Sequence, residues 1–173
     1  EQVLQKISEY NSAHFDKTVD KTLSTNPFTT SAILDSIYKR SIKRDYMSSL
    51  LGNQILEYVG AHKNTSPELL GVLSKCVSAD EDYRPAVNSI RFAVAGNTNT
   101  PDDVLQKLTE DSNDMVVDQA YGTLSRKQHE KQLKEHKIIR IRVTKTKWLI
   151  MNGPDLQIIQ FLLVPNKKIW LNR

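Results

Sequence analysis

The sequence has a single cysteine in 173 residues, Cys76, which excludes an intramolecular disulfide framework and fits a reducing, cytoplasmic setting. It lacks any run of the roughly eighteen apolar residues that a membrane span needs. Its longest apolar stretch, Ile158-Ile-Gln-Phe-Leu-Leu-Val164, has the length of a buried strand. No signal-peptide pattern is present, and the chain opens on Glu1, as expected of a piece excised from a longer protein. Catalytic constellations are lacking too. Gly96-Asn97-Thr98 is not followed by the Gly-Lys-Ser/Thr of a phosphate-cradling loop. No cysteine or carboxylate pattern completes a metal site around His14, His62, His129 or His136. Cys76 has no partner marking it as a nucleophile and reads as a small, half-buried thiol. The acidic residues fall on solvated helix faces rather than at the spacing of a paired acid and base. These absences point away from an enzyme and from any cofactor.

What is there is a repeat. Thr29-Thr-Ser-Ala-Ile-Leu-Asp-Ser-Ile37, Thr65-Ser-Pro-Glu-Leu-Leu-Gly-Val-Leu73 and Thr100-Pro-Asp-Asp-Val-Leu-Gln-Lys-Leu108 share one pattern. A shortened copy, Glu1-Gln-Val-Leu-Gln-Lys-Ile7, opens the chain. Each copy carries an apolar pair: Val3-Leu4, Ile33-Leu34, Leu69-Leu70 and Val104-Leu105. A second apolar marker, at Val19, Ile55 and Ile90, precedes the next pair by 14 residues every time. The other connection varies, with 16, 22, 21 and finally 13 residues from Val3, Ile33, Leu69 and Val104 to Val19, Ile55, Ile90 and Val117. One connection of fixed length and one that absorbs insertions is the behaviour of stacked helix pairs with loops free on one edge.

The fixed connection is centred on Thr25-Asn-Pro-Phe-Thr29, Ala61-His-Lys-Asn-Thr65 and Gly96-Asn-Thr-Asn-Thr100. Its residues stop one helix and start another. The spacing predicts N-caps at Thr65 and Thr100, with Glu68 and Asp103 as capping-box acids. Thr29 lacks such an acid, because Ala32 holds that place. The expected core is the apolar pairs together with Val19 and Leu23, then Ile55, Leu56 and Val59, Ile90, Ala93 and Val94, and Val117, Ala120 and Tyr121.

Val94-Ala-Gly-Asn-Thr-Asn-Thr-Pro-Asp-Asp-Val-Leu-Gln-Lys-Leu-Thr-Glu-Asp111 resembles the bacterial leucine-rich repeat variant family. The resemblance extends over residues 1–125, strongest in the fourth unit. It implies an all-α fold: a short right-handed solenoid, similar to HEAT arrays, of α-helices alternating with shorter 3₁₀-like ones. The longer second and third units depart from the family repeat, so full α-helices are expected there. One type of the family carries an iron–sulfur cluster on several cysteines, and Cys76 alone does not carry that cofactor over.

Charge divides the chain. Residues 1–125 hold 12 Lys and Arg against 17 Asp and Glu, a net of −5; residues 126–173 hold 12 against 3, a net of +9. The expected domains follow the same boundary: a helical-repeat domain over 1–125 and a basic segment over 126–173. Arg126 to Lys137 reads as a solvated helix or linker. From Ile138 the alternation of Ile139, Ile141 and Val143 with Arg140, Arg142 and Thr144 predicts a strand, and later strands would make a small β appendage.

The insertions supply the candidate sites. The second unit inserts Tyr38 to Met47, a basic cluster between tyrosines, and the third inserts the acidic Ser78 to Arg84. In one reading Tyr38, Arg40, Lys43, Arg44 and Tyr46 form a ridge that binds another protein or peptide, since Tyr and Arg are favoured at interfaces. In the other, Lys39, Arg40, Lys43 and Arg44 pair with Asp80, Glu81 and Asp82, for little stability. The leading expectation is a non-catalytic interaction scaffold. The alternative is nucleic-acid binding, with Arg140, Arg142, Lys145, Lys147, Lys167 and Lys168 on phosphates and Trp148 or Trp170 stacking on bases. Those charges could equally hold the chain's own acidic repeat.

Overall fold

A computed structural model describes the backbone of residues 1–43, 49–77 and 84–141, with side chains up to residue 134. Among these residues the fold is all-helical: α1 (Gln2–His14), α2 (Lys17–Thr25), α3 (Ser31–Lys43), α4 (Leu50–Ala61), α5 (Pro67–Leu73), α6 (Arg84–Gly96), α7 (Asp102–Leu108) and α8 (Asp114–Ile141). The chain divides into two compact units, Glu1–Lys127 and Gln128–Arg173. All eight elements are α-helices, including α4 and α6 in the two long units.

Within the first unit, α4 packs between α2 and α6, and α1 packs against both α2 and α3. The fixed connections join α2 to α3, α4 to α5, and α6 to α7. Leu34, Leu70 and Leu105 are all fully buried and belong to one continuous core with Leu23, Ile55, Val59, Ile90 and Val94. The i, i+1, i+4 stripe explains this, because it sets Leu105 and Leu108 of α7 on one side of a two-turn helix. At roughly 1.5–3 kcal/mol for each buried aliphatic side chain, these stripes hold helices that are too short to persist alone.

Three local expectations change. In the last helix the buried positions are Val116, Ala120 and Thr123, while Val117 is half-buried and Tyr121 is 59% exposed. The register slips by one residue: Val116, Ala120 and Thr123 take the buried places that Ile55, Val59, His62 and Ile90, Val94, Asn97 hold, although Val117, Tyr121 and Leu124 have the same 4, 3 spacing. Ala93 is also only half-buried. Finally, residues 138–141 continue α8 and are not a strand. Ile138, Ile139 and Ile141 fit the i, i+1, i+3 spacing of a helix as well as they fit alternation. The remaining expected strands lie outside the described residues.

The caps are corrected as well. Ser66, not Thr65, caps α5, its side chain accepting from the Leu69 N–H, with Pro67 in the first turn. At α7 the cap position is Pro101, and no side chain caps it. The threonines are buried instead. Thr29 and Thr100 donate their hydroxyls at 2.6 Å to the carbonyls of Leu23 and Val94, and Thr65 donates likewise to Val59. Each threonine closes the helix before it rather than opening the helix after it.

Candidate functional site

The turns between helices form a ladder of hydrogen bonds. In each, Asn26, His62 or Asn97 ends a helix and accepts a backbone N–H two residues on, from Phe28, Asn64 or Asn99. His62 imitates the asparagine with Nδ1, which accepts from Asn64 at 3.1 Å, and its Nε2 lies 2.9 Å from the Asn26 carbonyl. That pair of partners places the proton on Nε2. Asn97 in turn donates to the carbonyls of Gly60 (2.8 Å) and His62 (3.0 Å). The outer rungs run from Asn64 to the Thr29 carbonyl and from Asn99 to the Lys63 carbonyl. At the end of the ladder Lys127 of α8 bonds the Thr100 carbonyl at 2.7 Å and pairs with Asp102. The turns therefore hold successive helix pairs in fixed register.

A second recurring site joins residues 20 apart. The Arg40 guanidinium bonds both Asp20 oxygens and reaches Ser8 and Ser12 of α1. Asn11 bonds Asp20 and clamps the corner at Asp16, where Phe15 takes a left-handed φ of 58°. Arg91 makes the opposite pairing with Asp111 and also bonds the Cys76 carbonyl and Asn88. Between them, the corresponding residues 20 apart are Leu56 and Cys76. One site is filled as acid–base, apolar, and base–acid along the chain.

Electrostatics follow from these contacts. Burial pushes the Cys76 thiol up to about 11, and the nearby Arg91 cation offsets only part of that. Burial alone would raise the Asp111 carboxyl. Hydrogen bonds from Arg91 and the Asn113 backbone, with the Arg91 charge, hold it below the usual carboxylate range. Burial, followed by the Cys76 charge, raises the Tyr38 phenol.

The expected ridge does not assemble as drawn. Arg40 is 5% exposed and faces inward to Asp20, so it does not belong to a surface ridge; Asp80, Glu81 and Asp82 lie outside the described residues. An inward carboxylate from α2 draws a side chain that helical spacing alone leaves unassigned. Tyr38 is half-buried against the core. Lys43 is exposed, its Nζ 6.0 Å from the centre of the Phe15 ring. Arg44 and Tyr46 lie outside the described residues, as do Arg142, Lys145, Lys147, Trp148, Lys167, Lys168 and Trp170. Arg140 lies in α8, where the backbone alone is described.

The surface instead carries a cleft of about 730 Å³ between α4, α6 and the start of α8. Glu57 lines it from α4; Arg84, Pro85, Asn88, Ser89 and Phe92 from α6; Asn113 and Met115 from the far side. Phe92 and Met115 are 37% and 66% exposed, beside two amides, a hydroxyl, one acid and one base. Sequence reasoning missed this cleft. The available signal was Phe92 and Met115, two large apolar residues off the buried stripes of their helices. Among the described residues no group of three or more His, Cys, Asp or Glu side chains stands close enough to hold a metal ion, and no helix is long and apolar enough to cross a membrane.

No protein-family model, curated protein or solved structure matches the chain.

Proposed function

We propose that the chain is a non-catalytic scaffold, a short right-handed solenoid of helical hairpins that holds another protein or peptide on its surface. The cleft beside Phe92 and Met115 carries this reading. It sets the exposed apolar side chains of Phe92 and Met115 beside polar groups that could orient a bound peptide. The repeat itself is supported by matching turn bonds at Asn26, His62 and Asn97 and by matching buried threonines. The proposed setting is the cytoplasm, and the likeness to the leucine-rich repeat variant family remains part of the proposal.

The test places a photo-crosslinking residue at Met115 and at exposed Thr18, outside the cleft, and identifies adducts formed in native lysate. A reproducible adduct at 115, absent at 18 and lost with Phe92→Glu, supports the reading. Equal labelling at both positions rejects it.

The charge of +9 over residues 126–173 supports a second reading, nucleic-acid binding through that basic segment. Binding to DNA or RNA should then fall steeply with salt and disappear when residues 126–173 are removed. Undiminished binding by residues 1–125 would exclude it.

A further inference from the structure

Two asparagines in the cleft have the orientation of their amides settled by chemistry. Asn88 Oδ1 accepts from the Arg91 guanidinium at 2.8 Å, and a guanidinium only donates. Asn113 Oδ1 accepts the backbone N–H groups of Met115 (3.1 Å) and Val116 (3.3 Å) at the start of α8. In both residues the oxygen is committed and the NH2 group is left over. Among the described residues nothing accepts from either NH2, and both side chains line the cleft. Glu57 of α4 lines it too, half-buried, and no described side chain pairs with its carboxylate. Arg84, the base in the lining, is already engaged.

Two N–H donors call for two acceptors, and the surroundings decide which kind. Anions fit badly. Glu57 is negative, Asp114 adds a carboxylate in the first turn of α8, and residues 1–125 carry a net charge of −5. Asn113 also occupies the Met115 and Val116 N–H groups that would otherwise draw an anion to the helix end. Neutral carbonyls meet no such repulsion, and an extended main chain supplies them in a row at about 3.3 Å per residue. Asn88 and Phe92 stand four residues apart on one face of α6, about 6 Å along its axis, which is roughly the advance of two extended residues. The charge that complements Glu57 and the acidic repeat is that of lysine or arginine.

We infer that the cleft holds an extended, basic peptide segment by its main chain. The NH2 groups of Asn88 and Asn113 donate to two peptide carbonyls. An apolar side chain of the segment rests on Phe92 and Met115, and a lysine or arginine of the segment faces Glu57. The demands on the partner's sequence are then slight, because every residue carries the carbonyl that the amides recognise. The inference rests on the scaffold reading of the same cleft and adds the chemistry of the partner.

The experiment titrates the full chain with two acetylated, amidated peptides, Ala-Lys-Leu-Lys-Ala and Ala-Glu-Leu-Glu-Ala. Isotope-edited NMR follows the side-chain NH2 signals of Asn88 and Asn113. The lysine peptide should move both signals saturably and bind at least about tenfold more tightly than the glutamate peptide. Asn88→Asp and Asn113→Asp keep the oxygens that Arg91 and α8 use and delete the donors. Each should weaken binding of the lysine peptide by about three- to tenfold. Charge alone predicts the reverse, since each change adds a carboxylate beside a basic ligand. Unweakened or tighter binding by either folded variant overturns the inference. So do NH2 signals that stay still in the wild type, or a glutamate peptide that binds as well as the lysine one. Should an aspartate variant fail to fold, the wild-type NH2 signals decide. The crosslink at Met115 separates this inference from the reading beneath it. An adduct there without any response of the amides leaves the scaffold reading standing and removes main-chain recognition; neither adduct nor response removes both.

Discussion

The Arg40 guanidinium lies 2.6 Å from the Asp20 carboxylate, with both side chains shut away from solvent. The pair ties α3 to α2 and, through Ser8 and Ser12, to α1. Removing one partner leaves an unpaired buried charge, which costs about 3–5 kcal/mol. Asp20→Leu or Arg40→Met alone should therefore lower stability by that amount in urea unfolding. The double variant should recover most of the loss, because Leu56 and Cys76 fill the corresponding site without charge. A double variant as unstable as the sum of the singles would show that the site is not interchangeable.

His62 should be replaceable by asparagine but not by leucine. Asparagine at 26 and 97 makes the same bond to the backbone N–H two residues on, and at 97 it also donates to the preceding turn. We expect His62→Asn to change stability by less than about 0.5 kcal/mol, and His62→Leu to cost about 1–3 kcal/mol for the buried groups left without partners. Denaturant midpoints of the two variants test the difference.

The buried threonines and the true cap can be separated by substitution. Thr100→Val keeps the shape and deletes the hydroxyl donated to Val94, and Ser66→Ala deletes the α5 cap. Each should cost about 1 kcal/mol. Amide exchange should distinguish them: the first should quicken exchange at the end of α6, the second at the start of α5. Faster exchange at the start of α7 in Thr100→Val would restore the capping role and refute the assignment.

Asp111 gives a pH dependence with a definite sign. Its carboxyl is held below the ordinary value of 3.8, so the folded state binds that proton less readily than the unfolded chain does. The stability it contributes is complete above the unfolded value and disappears as pH falls through the lower folded value. The gap in stability between wild type and Asp111→Asn should thus be constant at neutral pH and shrink only below about pH 4. A gap that closes between pH 5 and 7 would assign the effect to another group.

Cys76 should react slowly. With its thiol pushed from 9.0 to about 11, the thiolate fraction near pH 8 is about a hundredfold below that of an ordinary cysteine. Iodoacetamide labelling of the folded chain should be slower by at least that factor than labelling in urea. Equal rates would contradict the burial.

The sequence alone determined the helix pairs, the turns and most of the core. Periodicity and the constant 14-residue spacing are local properties, and Leu34, Leu70 and Leu105 had one way to bury themselves. The tertiary structure decided everything that depends on what lies opposite. Arg40 turned inward because Asp20 waits there, although both candidate readings placed it on the surface. The threonine hydroxyls chose the carbonyl behind them over the N–H groups ahead, a matter of a single residue in register. The cleft at Phe92 and Met115 exists only because residues of α4, α6 and the start of α8 come together, and no spacing along one helix encodes the neighbour of another.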